Sequence, residues 1–132
     1  MSGRLLEEAR NLVHRSYSPY SGFRVAAVLE DTDGNLHGGV NVENGSYGVS
    51  MCAERAALCA AVSAGSRTFR RILIHSPDGA PLPCGACRQA LWEFCTGEFR
   101  VLVADPEGVI TTYTLKDLLP EAFELPMVDA DS

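Results

Sequence analysis

The spacing of apolar residues along the chain alternates between the period of an amphipathic helix and that of a strand. Helical spacing predicts helices over residues 51–64, 84–96 and 115–119, and Gly65 is placed to end the first of these. The helix over 51–64 is rich in alanine, so it can lie close against a sheet. A further amphipathic helix is predicted at the start of the chain from the apolar positions Leu5, Leu6, Ala9, Leu12 and Val13.

Short apolar runs bounded by turn residues predict five strands. Asp33-Gly34-Asn35 is typical of a hairpin between the first two, because glycine adopts a positive φ at low cost. Helices and strands then follow one another as α-β-β-α-β-α-β-β-α. This order predicts an α/β fold of three layers, with a mixed five-stranded sheet between helices. The predicted strands cover residues 23–29, 36–42, 71–75, 101–104 and 109–113.

Length and composition limit the classes of protein that fit. The 132 residues suit one domain over 1–132, with a loose tail expected at 126–132. No apolar run approaches the ~20 residues that span a bilayer, and residues 1–8 contain no apolar segment typical of a secretory signal. Seventeen acidic and eleven basic residues give a net charge of -6. This charge argues against nucleic acid as a partner and favours a small uncharged or cationic molecule.

Five cysteines carry the strongest chemical signal: Cys52, Cys59, Cys84, Cys87 and Cys95. An odd number argues against a disulfide framework and for a reducing compartment, so we expect a cytoplasmic protein. Cys84 and Cys87 form a C-x-x-C pair, which taken alone is as typical of a structural zinc site or a redox pair as of anything else. Core packing is the favoured interpretation of Cys59 and Cys95.

Cys52 favours a catalytic metal site over those alternatives. The two central helices each begin near a cysteine, where the partial positive charge of the helix N-terminus stabilises a thiolate. Thiolates of Cys52, Cys84 and Cys87 would favour Zn²⁺ and leave its fourth position for water, as in catalytic sites. His75, at the end of a predicted strand, is the one alternative ligand.

Charged residues next to Cys52 complete the candidate chemistry. Glu54 lies two residues further on, close enough to face the open position and move a proton from water to a substrate. Three thiolates exceed the charge of Zn²⁺. We therefore expect Arg55, together with Arg88, to offset the surplus through contacts to sulfur.

The motifs around these residues resemble those of the zinc-dependent nucleoside deaminases. They read Cys-Ala-Glu-Arg at 52–55 and Pro-Cys-Gly-Ala-Cys-Arg-Gln at 83–89. Within that family the chain is most similar to the small homotetrameric cytidine deaminases, which also match at 17–23, 41–44 and 118–123. The resemblance implies their three-layer α-β-α fold and a homotetramer with pockets shared between subunits.

The resemblance also implies a reaction. One zinc ion per chain would be held by Cys52, Cys84 and Cys87, and Glu54 would carry protons between water, ring N3 and the leaving ammonia. The activity implied is hydrolytic deamination of cytidine and deoxycytidine to uridine and deoxyuridine, a step of pyrimidine salvage. Its partner would be a small nucleoside.

Substrate contacts are implied in the same way. Phe23 would pack against the pyrimidine, Asn41 and Glu43 would hydrogen-bond the ribose hydroxyls, and the backbone around Ala53 would recognise the ring carbonyl. On the residues alone, Phe23 is equally typical of a core position. Asn41 and Glu43 are also typical turn formers at a strand end.

Two aromatic residues, Tyr47 and Phe123, are implied by the resemblance to reach the pocket of a neighbouring subunit.

Three other functions remain open at this point. One is deamination of a related aminopyrimidine nucleoside such as blasticidin S, and another is editing of cytosine in a nucleic acid, against which the charge argues. The third is a zinc-stabilised binding module without activity, for which Glu54 would have no use.

Overall fold

The computed structural model describes residues 2–127, within which the chain forms four α-helices and five strands. The helices are α1 (Ser2–Leu12), α2 (Ala53–Ser63), α3 (Gly85–Trp92) and α4 (Leu115–Leu118). The strands are β1 (Ala26–Asp31), β2 (Leu36–Val40), β3 (Phe69–His75), β4 (Arg100–Ala104) and β5 (Ile110–Thr114). Within the described part of the chain, no helix is long and apolar enough to cross a membrane. The tail expected at 126–132 lies largely outside the described residues.

The five strands form one mixed sheet in the order β2-β1-β3-β4-β5. β1 runs antiparallel to both β2 and β3, β3 runs parallel to β4, and β4 runs antiparallel to β5. A parallel pair needs a crossover connection, which here contains α3. As a result α3 begins just beyond the carboxyl end of β3, where the loop that carries Cys84 also lies. The mixed five-stranded sheet predicted from the sequence is confirmed.

Helices cover both faces of the sheet and bury a separate apolar cluster on each. In β3, Leu73 packs in the cluster under α1, while Ile72 and Ile74 pack in the cluster under α2 and α3. Adjacent residues of a strand point to opposite faces, so the alternation along β3 fixes which helix each residue meets. The three layers are therefore α1, the sheet, and the group of α2, α3 and α4, as predicted.

α2 lies directly on the backbone of β2. Gly39 of β2 has no side chain, and a Cβ at this position would overlap the backbone nitrogen of Ala57 and lie 2.7 Å from the carbonyl oxygen of Ala53. The helix contributes only small side chains here, because Ala53, Ala57 and Ala61 are completely buried. The alanine-rich pattern predicted this close approach, which positions the first turn of α2 against the sheet.

We expect Gly39→Ala to lower the free energy of unfolding by about 3 kcal/mol, because the added methyl group forces α2 away from β2. Urea unfolding followed by circular dichroism measures this change. The matched control is Gly3→Ala in α1, where a Cβ would meet nothing within 4 Å. Equal stability of Gly39→Ala and wild type would show that this helix does not depend on the close approach.

Several predicted boundaries differ from those of the structure, and two of the differences have identifiable reasons. The first strand is predicted at 23–29, but β1 begins only at Ala26 and extends through Glu30 and Asp31, which are polar and yet only 4% and 3% exposed. Both carboxylates have partners that the local pattern does not reveal. Arg71 donates to Glu30 at 2.7 Å, and Nε2 of His37 lies 3.0 Å from Oδ2 of Asp31.

The helix predicted over 84–96 is shorter in the structure, where α3 ends at Trp92. The amide of Phe94 donates to the carbonyl of Leu91 at 3.1 Å, three residues back, so the chain leaves the helix in a tight turn. Cys95 therefore follows the helix instead of lying on it.

Candidate active site

The starts of α2 and α3 bring the three predicted zinc ligands together. Cys52 is the residue immediately before α2, Cys84 is the residue immediately before α3, and Cys87 lies in the first turn of α3. The sulfur of Cys84 lies 4.0 Å from that of Cys52 and 3.5 Å from that of Cys87. Among residues 2–127, these cysteines are the one group of histidine, cysteine or acidic side chains arranged to hold a metal ion.

The sulfur geometry fits zinc. Tetrahedral coordination with zinc–sulfur bonds of about 2.3 Å separates two sulfurs by about 3.8 Å. The distances of 3.5 and 4.0 Å lie on either side of that value. A set of three protein ligands is typical of catalytic zinc, since structural sites use four. The cluster therefore fits a zinc ion with one exchangeable position.

The alternative ligand His75 lies on the other side of the sheet. It has the same orientation in β3 as Leu73, which packs under α1, and its Nδ1 lies 3.3 Å from the carbonyl oxygen of Ala104. Burial lowers the pKa of this histidine, so it stays neutral in the α1 layer. The alternative of a histidine ligand is wrong because strand alternation places the side chain on the opposite face.

The remaining two cysteines differ in environment. Cys95 packs against the core cluster under α2 and α3, and burial raises the pKa of its thiol to about 12. Cys59 is exposed, so core packing is the wrong interpretation for it. α2 turns Cys59 away from the sheet, and neither thiol belongs to the three-cysteine cluster.

The surroundings of the cluster shift the pKa values of Cys84 and Cys87 in opposite directions. Burial opposes ionisation of Cys84, but hydrogen bonds from the backbone of Cys87 and Ala86 and from neighbouring thiols lower its pKa. Burial raises the pKa of Cys87, and the negative charges of Glu54 and Cys52 raise it further. Ionisation of Cys87 is therefore opposed in the metal-free cluster, and a cation bound between the sulfurs would favour it.

Arg55 is placed to balance the surplus negative charge. Its Nη2 donates to the sulfur of Cys52 at 3.7 Å, and its Nε is buried without a hydrogen-bond partner among the described residues. The contact with Cys52 raises the pKa of Arg55. Arg88 has a different role from the one predicted. It donates to the backbone carbonyls of Pro83 and Leu118, each at 2.8 Å, and so fixes the loop before α3.

Glu54 is a buried carboxyl group beside the cluster. The residue is 5% exposed and lies in the first turn of α2, one position after the fully packed Ala53. Burial raises the pKa of Glu54, against opposing hydrogen bonds from its own backbone and from the thiol of Cys87. A carboxyl group in this environment exchanges a proton more readily near neutral pH than an exposed glutamate does.

A cavity of about 220 Å³ lies over this arrangement. It brings together six of the predicted site residues and adds three that the sequence did not single out. The lining residues are Phe23, Val25, Asn41, Cys52, Ala53, Glu54, Pro81, Leu82 and Cys84. Pro81 and Leu82 belong to the turn between β3 and α3. The proline content of this turn was the only feature of the sequence that pointed to these two residues.

Three predicted substrate contacts lie outside this cavity. Glu43 and Tyr47 line a separate cavity of about 350 Å³ with Tyr20, Ser21 and Ser50. Phe123 is 68% exposed on another part of the surface, next to Trp92. Tyr47 is 80% exposed. Within the chain these three side chains therefore lie outside the cavity that Cys52 and Cys84 line.

Asn41 and Glu43 anchor the segment that precedes β1. The side-chain Nδ2 of Asn41 donates to the carbonyl of Phe23 at 2.8 Å, and its Oδ1 accepts from the backbone amide of Val25 at 3.0 Å. Glu43 accepts from the backbone amides of Tyr20 and Ser21 at 3.0 and 3.1 Å. These bonds hold Phe23 at the cavity, so Asn41 both lines and shapes the site, and Glu43 shapes it from outside the cavity.

Comparison with known proteins identifies the family. Residues 2–103 match the model of the cytidine and deoxycytidylate deaminase zinc-binding region, and the chain belongs to this family of zinc-binding deaminases. Cytidine deaminases of Sporosarcina psychrophila and Halalkalibacterium halodurans are 40% and 42% identical to it over 121 and 120 residues. These alignments cover 91% and 90% of this chain, and 89% and 91% of the respective relatives.

A solved structure supports the same assignment. The crystal structure of cytidine deaminase from Burkholderia pseudomallei superposes with a TM-score of 0.88 at 40% identity. The match covers 93% of this chain and 99% of the other. The predicted fold class and zinc as the predicted cofactor are therefore confirmed, and the three-cysteine cluster is a group that could hold the ion.

Proposed function

We propose that the protein catalyses hydrolytic deamination of cytidine and deoxycytidine to uridine and deoxyuridine, with release of ammonia, as a step of pyrimidine salvage. The observation that carries this proposal is the buried carboxyl group of Glu54 beside a cluster of three cysteines that leaves one zinc position open. Relatives with 40% and 42% identity are named cytidine deaminases, which supports the choice of substrate.

Glu54 is the proposed catalytic residue, with Cys52, Cys84 and Cys87 as the zinc ligands. When bound, zinc supplies Lewis acidity that makes a water molecule nucleophilic near neutral pH. Glu54 takes a proton from the attacking water and delivers it to ring N3 as oxygen bonds to C4. Glu54 then takes the remaining proton from the hydroxyl group on C4 and delivers it to the exocyclic nitrogen, which leaves as ammonia as the C4–N4 bond breaks and the C4 carbonyl forms.

The cavity walls provide the proposed binding contacts. The ring of Phe23 packs against the pyrimidine, and the backbone at Ala53 hydrogen-bonds the ring carbonyl from the N-terminus of α2. Asn41 uses one amide hydrogen on the carbonyl of Phe23 and retains a second donor for a ribose hydroxyl. Glu43 reaches the ribose from the adjacent cavity, where its carboxylate accepts hydrogen bonds from the sugar hydroxyls.

We further propose a homotetramer in the cytoplasm, with active sites shared between subunits. Tyr47 and Phe123 are large aromatic side chains that are 80% and 68% exposed, which favours burial against another copy of the chain. Each would approach the cavity of a neighbour. Sedimentation velocity at micromolar concentration tests this assembly, and a monomer there would exclude it. A reducing compartment suits a site built from free thiols.

A turnover assay with zinc-loaded protein tests the proposed activity. We expect the ultraviolet spectrum of cytidine to change to that of uridine, with one ammonia released per nucleoside converted. Deoxycytidine and blasticidin S are assayed in parallel. Faster turnover of blasticidin S than of cytidine would contradict the substrate assignment. No turnover of any of the three by zinc-loaded protein would favour a binding module.

A further inference from the structure

An ion pair joins the segment before β1 to the turn between β3 and α3. Arg24 donates from Nε and Nη2 to the two carboxylate oxygens of Asp78, at 3.0 and 2.9 Å. The backbone amide of Arg24 also donates to Asp78, at 2.8 Å. The carboxylate is therefore bound in a two-pronged geometry and by the main chain at the same time.

Asp78 is itself fixed in the turn that leads to the cysteine cluster. Its backbone amide donates to the hydroxyl of Ser76 at 3.0 Å, and Ser76 is completely buried at the end of β3. The hydrogen bonds from Arg24 lower the pKa of Asp78 to about 2, so the pair stays ionised at neutral pH. The same turn continues through Pro81 and Leu82 of the cavity wall to the zinc ligand Cys84.

Phe23 makes a second contact with this turn. A Cβ placed at Gly79 would lie 3.0 Å from Cε2 of the Phe23 ring and 3.4 Å from Cζ. The ring therefore packs directly against the backbone of Gly79. Phe23 and Arg24 are sequence neighbours, and so are Asp78 and Gly79. The ion pair and the ring contact thus form one continuous junction.

We propose that the Arg24–Asp78 pair is a positioning element that sets the distance between the ring of Phe23 and the cysteine cluster, and so fixes the pyrimidine over the open zinc position. This inference rests on the proposed function, in which Phe23 packs against the pyrimidine. Neither residue lines the cavity. Both act through Phe23 and the turn, and neither touches the substrate.

The location of the pair predicts an effect on substrate binding, with little effect on folding. Arg24 and Asp78 have side chains that are 46% and 25% exposed, and ion pairs at such sites contribute little to global stability. A contact with the pyrimidine exists both before and during the reaction. Its displacement therefore raises KM while kcat is largely retained.

Arg24→Ala and Asp78→Ala are the two variants that test the proposal. We expect KM for cytidine to rise about fivefold in Arg24→Ala, with kcat within about twofold of wild type. The increase in KM is larger, about tenfold, in Asp78→Ala, because this change also removes the acceptor for the backbone amide of Arg24. Arg24→Lys keeps the charge and restores part of the lost affinity.

A double variant shows whether the pair acts through Phe23. Phe23→Leu alone raises KM, and adding Arg24→Ala to it produces no further increase, because residues acting through one contact are not additive. The matched control is Lys116→Ala. Lys116 forms an ion pair with Glu98 at 2.9 Å, and neither residue lines the cavity, so the loss of this pair leaves KM unchanged.

These results separate the positioning role from the activity itself. If wild-type protein fails to deaminate cytidine, the proposed function is wrong. If wild type is active and KM is unchanged in Arg24→Ala and Asp78→Ala, the positioning role is wrong and the activity stands. Fully additive increases in KM in the Phe23→Leu background would also overturn the positioning role, because they would place the effect outside Phe23.

Discussion

Glu54→Gln is expected to reduce turnover of cytidine by about a thousandfold or more while one zinc ion per chain is retained. Glutamine has nearly the same size and keeps a hydrogen-bonding group, so the buried site is preserved. It has no ionisable carboxyl group, however, and cannot move a proton from water to ring N3. Steady-state kinetics and metal analysis on the same sample measure the two quantities.

The exposed Glu8 of α1 provides the matched control, since Glu8→Gln changes the same chemical group away from the site. We expect this variant to keep the activity of wild type. Turnover by Glu54→Gln within about tenfold of wild type would remove Glu54 from the proton transfer. Loss of zinc from that variant would instead assign Glu54 to the metal site.

Cys84→Ala is expected to remove both zinc and activity. Cys84 lies between the other two sulfurs, at 4.0 Å from Cys52 and 3.5 Å from Cys87. Without it two thiolates remain, too few for a stable zinc site, so the zinc content falls from about one ion per chain to near zero after dialysis. Metal analysis and cytidine turnover report the loss, and circular dichroism reports whether the sheet is intact.

The chain offers a matched control for this variant in Cys59→Ala. Cys59 is a free, exposed thiol on α2, outside the cluster. The control keeps its zinc and its turnover. Equal zinc content in Cys84→Ala and Cys59→Ala would show that the metal is held elsewhere. Zinc loss in both would show that the effect belongs to thiols in general.

The grouping of the candidate site residues could be predicted from the sequence because its signals are local. Cys52 and Glu54 are two residues apart, Cys84 and Cys87 are three apart, and both pairs lie at the starts of helices. The periodic pattern of apolar residues predicted those helices. Their relative placement followed from the order of elements, which defines the three-layer fold. Most of the site could therefore be predicted because its residues lie close together in the sequence.

Long-range pairing between polar side chains could not be predicted in the same way. The sequence predicts that Glu30 follows the first strand. In the structure Glu30 belongs to the strand and is buried, because Arg71 on the neighbouring strand pairs with it. Arg24 and Asp78 lie 54 positions apart, and their contact depends on where β1 and the turn after β3 meet. A single sequence contains each partner but no signal that joins them.

The placement of His75 shows a different limit. Its nearness to the cysteine loop in the sequence made it the one alternative ligand, but strand alternation directs it towards α1. Neighbouring residues of a strand point to opposite faces of the sheet. An error of one position in a predicted strand is therefore enough to place a side chain on the wrong face. The same sensitivity does not affect Cys87, because it lies on a helix whose start is fixed by Cys84.

The absence of a side chain at Gly39 has a consequence for the reaction. The backbone of α2 packs against β2, with only the hydrogen of Gly39 and the methyl groups of alanines between them. The turn of α2 that contains Glu54 therefore has little freedom to move. An acid held by packing is preorganised, and little energy goes into reorienting it as charge develops on the substrate. The close packing of β2 against this helix thus helps to lower the barrier to the proposed reaction.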